Sequence, residues 1–422
     1  MMKITGKQRI SDWYYILAVL CYTSTLVFEG VRPGVFGFAV MVLVFIEAAF
    51  RGGLKPHGYA DYIAAAYFAY QVVSVVWLLR GGYPLSVYYN EFVSSCFPMI
   101  FYAVGRSEAE DPRKWYRNYI AAMMILGITG VVMYILAPRF YCDWAYRWGY
   151  ISKADAATMR VRMHSVVGST CLSFLMVAGM LAGSYFLDDK TLGDAGRTKR
   201  SRIYAAAAVA ACFLFAVMAN QRSGLVAAAL VIVYVNYLIF FKLDLIPRKY
   251  FLYEAVVIIL CFIAISVVRF DYIMKFIYRL VSLPTAISER SEQWVAAVNN
   301  MYSSWIGNGL GANGHRALGI EDAHVIADGG LIKLYCENGV IGFSLFAYLM
   351  FLSLSGGITN IRKRYVEVGI IVVGLLQSVG SNMLAFQICA PVFWFAVGRC
   401  TCGTENEQNL KGCSETGGLY NG

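Results

Sequence analysis

The sequence predicts an all-α, polytopic helical membrane protein, and three observations carry that prediction. Only 15% of the 422 residues are charged and 59% are apolar, at a mean hydropathy of +0.57. A soluble globular chain carries roughly 25% charged residues. The apolar residues gather in repeated runs of about 17–22 positions, the length a helix needs to cross a bilayer. The short-strand alternation of an outer-membrane barrel is absent. In hydrocarbon every backbone N–H and C=O needs an internal partner, so such runs are read as helices.

About twelve transmembrane helices are expected, at roughly 11–28, 33–50, 59–79, 86–105, 118–137, 165–187, 203–219, 223–241, 251–268, 330–354, 368–383 and 385–400. The last two are nearly contiguous and read as a tight hairpin. Orientation follows from Lys and Arg between the spans, because cytoplasmic segments carry the excess. With the N-terminus inside, most of the 36 Lys and Arg fall on one side, including Lys3, Lys7, Arg106, Arg113, Arg117, Arg197, Lys199, Arg200, Arg248 and Lys363. The remainder concentrate in a large outer loop, about 269–329, and a second outer loop, about 138–163. The domain plan is therefore one membrane domain over residues 1–400 and a polar, Gly-rich, disordered cytoplasmic tail over 401–422.

Other features narrow the class. The net charge of +10 is accounted for by membrane topology or by an anionic substrate, and no basic face on a soluble domain points to nucleic acid. Most of the 11 Cys lie inside apolar runs, where they act as small hydrophobes. No CxxC spacing occurs, and Cys400 and Cys402 form a lone CxC. Cys142 and Cys336 would meet only in an oxidising compartment; two free thiols are the plainer expectation. No cleavable leader is expected, since the first apolar run lacks a small-residue cleavage site. No internal repeat and no inverted pair of broken helices, as many transporters have, is visible.

Four short stretches could carry chemistry. In Asn220-Gln221-Arg222-Ser223-Gly224 an Arg sits between two apolar runs with almost no linker. It is either a snorkelling anchor or an anion clamp whose planar fork suits phosphate oxygens. In Ser288–Trp294, Ser288 and Glu292 have the spacing of a capping box. The apolar periodicity that follows predicts a surface helix with Trp294 and Trp305 at the interface. Arg290 would then stand in the first turn, against the helix dipole, unless a partner holds it. Gly307–Gly314, GNGLGANG, reads as a loop of unusual backbone angles or close chain approach, with backbone N–H groups free to face a sugar or phosphate. Finally Glu321, Asp322, His324 and Asp328 gather before an apolar helix, with Glu337 further in. His324 and Asp328 share a face if the stretch is helical. Either suits a general base, Asp328 could alternatively cap the next helix, and a metal site is the competing use of the cluster.

These stretches, in this order, resemble the O-antigen polymerase and O-antigen ligase superfamily of bacterial membrane glycosyltransferases. NQRSGLVAAAL resembles its Ser-Arg-small turn. ERSEQWVAAVNNMYSSWIGNGLG resembles its Arg…Trp segment with a Gly-rich run. ADGGLIKLYCENGVIGF resembles its polar residue followed by LxxLxxxxGxxG. The resemblance covers about residues 203–354. Ligases carry His eleven positions before the first Gly of that pattern, and here that position is Asp328, which leans to the polymerase branch. The resemblance implies substrates made of oligosaccharide repeat units on undecaprenyl diphosphate, at the periplasmic face of the bacterial inner membrane; the Lys and Arg distribution puts both termini on the cytoplasmic side. It implies no cofactor, no metal, membrane lipid as a partner and a chain-length regulator as a further candidate partner. In that frame Asp328 and His324 are the candidate catalytic residues. Arg222, Arg290, Arg316 and Arg279 are candidates for the diphosphate, and Trp294, Tyr302 and Trp305 for sugar stacking. The rival classes are a ligase, a lipid-linked sugar transporter or flippase, and a structural protein that uses the large loop for docking.

Overall fold

The structure is a computed structural model that describes residues 9–51, 54–56, 58–107, 111–158, 162–187, 199–242 and 283–402, with isolated positions at 251–252, 256, 274 and 281. The described residues are helical and contain no strand. The expected span 251–268, Arg279, and nearly all of the 401–422 tail lie outside them.

Helices α1 (Ile10–Ser24), α2 (Pro33–Phe50) and α3 (Tyr59–Val73) open the chain, and α4 (Val75–Arg80) continues α3 past Ser74. The expected span 86–105 is interrupted. It runs as α5 (Leu85–Glu91), a π turn (Phe92–Cys96), a 3-10 turn (Phe97–Met99) and α6 (Ile100–Ser107). Pro98 lacks the N–H that a continuous helix would use there. Helix α7 (Arg113–Leu136) follows, then the short α8 (Pro138–Arg147) and α9 (Lys153–Thr158) of the 138–163 loop. Helices α10 (Ser169–Tyr185), α11 (Lys199–Ala219) and α12 (Arg222–Asn236) come next. After the large loop's α13 (Leu283–Asn299) come α14 (Gly330–Thr359), α15 (Ile361–Gly380) and α16 (Ala390–Thr401).

Five of these stretches are long and apolar enough to cross a membrane: Pro33–Phe50, Tyr59–Arg80, Arg113–Leu136, Arg222–Lys242 and Gly330–Thr359. Ser169–Tyr185 and Ile203–Ala219 are shorter apolar helices. The architecture is therefore that of a helical membrane protein, with fewer full-length crossings among the described residues than the twelve expected. Interruption of the 86–105 run and the short α1 and α16 account for part of the difference.

The centre is built from α10, α15 and α16. Every residue of α16 is buried, as is nearly every residue of α10. Helix α16 crosses α6 where two glycines face backbone. A Cβ on Gly105 would stand 2.2 Å from the Phe395 carbonyl oxygen, and one on Gly398 would stand 2.1 Å from that of Tyr102. Small residues at such a crossing let two helix backbones approach closely. Trp115 stacks on Phe395 at 3.8 Å between ring centres, and the buried Arg399 pairs with Glu367 of α15. Several polar contacts gather at that end of the bundle: Arg106 to Asp61 at 2.6 Å, Arg106 to the Thr401 carbonyl, and Glu47 to the N-terminal amides of α1.

Candidate functional site

At the opposite end of the bundle, four separated segments meet. Asn220 takes φ of 49°, which turns the chain sharply from α11 into α12 and makes Arg222 the first residue of the new helix. Arg222 is half-buried and makes no ion pair with a described residue. Arg162, from the 138–163 loop, donates to the Gln221 side chain at 2.9 Å and so arrives beside Arg222. Helix α15 ends at Gly380, and a Cβ there would lie 4.0 Å from both Arg290 Nη1 and Ser223 Cβ. Arg290 in turn donates to Asp328 Oδ2 at 2.8 Å. Trp294, one helical turn on, donates from its indole to the Asp328 backbone carbonyl at 2.7 Å. One corner thus holds three guanidinium groups and one carboxylate drawn from four stretches of sequence.

The floor of this corner is polar and underused. Ser223 Oγ, Ser173 Oγ and both amide atoms of Gln377 are buried without a hydrogen-bond partner. Gln377 lies one turn below Gly380 on α15, and a Cβ on Gly224 would collide with Ser173 Oγ. Buried polar groups are normally satisfied; of these, Ser223 borders the corner, and its Oγ is suited to meeting a hydroxylated or anionic ligand there.

The sequence expectations fare unevenly here. Arg222, Arg290, Asp328 and Trp294 are brought together. Tyr302 and Trp305 are exposed, at 53% and 65%, and neither touches that corner. Trp294 is half-buried and braces the Asp328 backbone through its indole N–H. Arg316 lies in a 3-10 turn, His315–Ala317, that packs against α5, and no described contact joins it to Arg290 or Arg222. The stretch holding His324 is not helical, so His324 and Asp328 share no helix face. His324 is tied by its backbone carbonyl, which accepts from Asn313 Nδ2 at 2.8 Å. Asp328 does not cap α14, whose N-cap is Gly329 with no side-chain bond. The capping box is also corrected. Helix α13 begins at Leu283, so Ser288 and Glu292 are internal and Arg290 is well past the first turn. Cys142 and Cys336 are free thiols. Among the described residues no group of three or more His, Cys, Asp or Glu could hold a metal ion.

The Gly-rich loop has a structural task. Gly307, Gly309 and Gly311 all take positive φ, and the loop lies against a break in α14 at Gly339, whose φ is 60° and ψ −169°. The break frees carbonyls that a continuous helix would satisfy. Asn308 N–H donates to Cys336 and Gly309 N–H to Glu337, both at 2.9 Å, while Val340 and Ile341 N–H donate back to Ser304 and Trp305. The Tyr70 hydroxyl sits 2.7 Å from the Asn338 carbonyl. These amides are spent on protein and do not face a sugar or phosphate.

Sequence reasoning missed a second cluster beneath this loop. Buried Lys333 lies 2.5 Å from Glu91 and 3.2 Å from Glu337. The Glu337 carboxylate also accepts from Asn313 N–H at 3.3 Å. Its signal was available, since Glu91, Lys333 and Glu337 are ionisable residues within expected spans, and such residues mark function or partnership.

Compared with known proteins, the chain matches no family model and no curated sequence.

Proposed function

We propose that this chain is a membrane glycosyltransferase that polymerises oligosaccharide repeat units carried on undecaprenyl diphosphate, at the periplasmic face of a bacterial inner membrane. In this proposal it crosses that membrane about twelve times with both termini cytoplasmic. The observation that carries the reading is the Arg290–Asp328 pair beside the Arg222 turn.

The chemistry asks for what that corner contains. An acceptor sugar hydroxyl attacks the anomeric carbon of the donor, its proton passes to the Asp328 carboxylate, and a new glycosidic C–O bond forms. The bond from the anomeric carbon to the diphosphate oxygen breaks, and its electron pair leaves with the lipid diphosphate. Negative charge on that leaving group is stabilised by preorganised cations. Arg222 and Arg290 supply bidentate forks, and Arg162 is in position to assist. Arg290 holds Asp328 before substrate arrives, and an incoming diphosphate competes for the same guanidinium, releasing the carboxylate to take a proton.

Deleting the gene and sizing glycan at the surface and on the lipid carrier tests this directly. A single repeat unit at the surface supports the polymerase. Long chains stranded on the carrier would mean a ligase, and unchanged glycan would sink the reading. Complementation with Arg222→Lys or Arg290→Lys should fail at normal protein level, because Lys lacks the planar fork. The transporter alternative has one observation in its favour. Two interrupted helices, 85–107 and 330–359, meet at buried charge, an arrangement seen at transport sites. In that case lipid-linked units would accumulate on the cytoplasmic side.

A further inference from the structure

The buried cluster below the Gly-rich loop adjoins a cavity of about 50 Å³, lined among others by Gln71, Lys333, Glu337, Asn382 and Tyr67. That is room for roughly three or four water-sized spheres. Two features of its wall are unbalanced. The first is charge: Lys333 bridges Glu91 and Glu337, so one cation faces two carboxylates, all three buried. The second is hydrogen bonding. Gln71 Nε2 donates to Asn338 Oδ1 at 2.8 Å, and Asn382 Nδ2 donates to the carbonyls of Ile326 and Ala327 at 2.7 and 3.2 Å. Both amide nitrogens are thereby committed, and both amide oxygens, Gln71 Oε1 and Asn382 Oδ1, are buried and accept no hydrogen bond, although the Tyr67 hydroxyl also reaches the Gln71 side chain. Gln71 is 2% exposed and Asn382 3%.

We propose that this cavity is a binding site for a small monovalent cation, sodium being the probe of choice, held by Gln71, Asn382 and Glu337. A single cation answers both imbalances. It neutralises the surplus carboxylate charge and accepts lone pairs from two otherwise idle amide oxygens. A proton on one carboxylate would correct the charge but offer one donor to two acceptors. A divalent ion is disfavoured because Lys333 already offsets one of the two carboxylate charges, leaving a surplus of one, and no cluster of three or more acidic or His/Cys ligands exists among the described residues. The carbonyls freed by the α14 break are not available as ligands, since the Gly-rich loop and Tyr70 take them. Other ionisable groups nearby are Tyr67 and Cys96 in the cavity wall, and His315 and Arg316, which are exposed to solvent on the α5 side. The site would lie directly under the strand of loop that carries Asp328, because Asn382 grips the two residues before it. The inference does not depend on the transferase reading.

The test is thermal melting of the detergent-purified full chain, with NaCl exchanged for choline chloride at fixed ionic strength and pH. A bound cation stabilises the folded state by mass action, so the melting temperature should rise with sodium and saturate. Glu337→Gln removes the surplus charge and should abolish the sodium dependence. Gln71→Met keeps the volume but removes both the amide oxygen and the N–H that Asn338 Oδ1 accepts, and should raise the half-saturating sodium concentration by about tenfold or more. It serves as the readout if Glu337→Gln does not accumulate. A wild-type melting temperature indifferent to sodium overturns the proposal. So does sodium dependence that survives both substitutions, which would mean screening or surface binding. Melting that falls with rising pH and is not rescued by sodium overturns it too, with a proton as the occupant.

Discussion

Gly339→Ala should be among the most damaging single-atom additions to this protein. The residue sits at φ 60° and ψ −169°, a region reached almost only by glycine, and forcing a side chain into it costs roughly 1–3 kcal/mol. The new Cβ would stand 2.4 Å from both the carbonyl carbon and oxygen of Trp305 and 2.6 Å from the Gly307 nitrogen. These are backbone atoms of a packed loop, so they cannot rotate away. Relief requires the loop to withdraw, which breaks some of the four backbone bonds across the break, each worth about 1 kcal/mol. The sum is roughly 3–6 kcal/mol, comparable with the whole stability of many proteins. The assay is membrane accumulation and detergent melting beside Gly319→Ala. Gly319 also has positive φ, 87°, but nothing lies within 4 Å of its would-be Cβ, so only about 1–2 kcal/mol is expected there. Equal yield and melting temperature for Gly339→Ala and wild type would refute the account of the broken helix.

Further expectations concern charge. Arg290 and Asp328 are 34% and 38% exposed, so their pairing contributes under about 1 kcal/mol to stability. Alanine at either should leave the melting temperature nearly unchanged yet, under the proposed transferase reading, lower glycan polymerisation about 100-fold or more, measured by chain-length analysis in complemented cells; wild-type chain lengths would count against that reading. Lys333→Met strands two buried carboxylates and should cost roughly 3–5 kcal/mol, read as lost accumulation, and adding Glu91→Gln and Glu337→Gln should restore it. His164 is buried against the Tyr141 and Tyr150 rings, and burial lowers its pKa from 6.5 to about 4. The neutral form is therefore the folded one. The associated stability is complete above about pH 6.5 and is lost as pH falls towards 4, up to about 3 kcal/mol. Melting at pH 7.5 and 5 should differ less in His164→Gln than in wild type, and equal differences would discount His164.

What the sequence revealed divides along physical lines. Apolar run length exposed the membrane-spanning class and many helix positions, because solvation in lipid is a local property of a window of residues. The suspicion that GNGLGANG marks close chain approach also holds, since glycine density is a direct record of steric demand. The partner of that loop was invisible, because Gly339 interrupts a helix whose hydropathy is continuous through the break. Helix α13 begins earlier than the capping-box spacing at Ser288 implied, a case of local capping chemistry being overridden by a longer helix. The corner formed by Arg162, Arg222, Arg290 and Asp328 was legible as separate residues. Its assembly was not, since Gly380 and the Arg162–Gln221 contact come from packing alone. Glu91 and Lys333 stand 242 positions apart, and only the tertiary fold makes them partners.

The mutual completion of the Gly-rich loop and the broken helix also constrains how the chain is made. The loop, residues 307–314, leaves the ribosome well before Cys336 and Glu337, so its amide donors wait for carbonyls not yet synthesised. Tyr70 and Gln71 wait far longer, since their partner Asn338 arrives 268 and 267 residues later. A reporter fused anywhere between 315 and 335 therefore samples an assembly intermediate whose second half cannot dock. Topology maps of this region are sound only when the reporter is inserted into the full-length chain, or fused beyond residue 342, where the interlock is already closed.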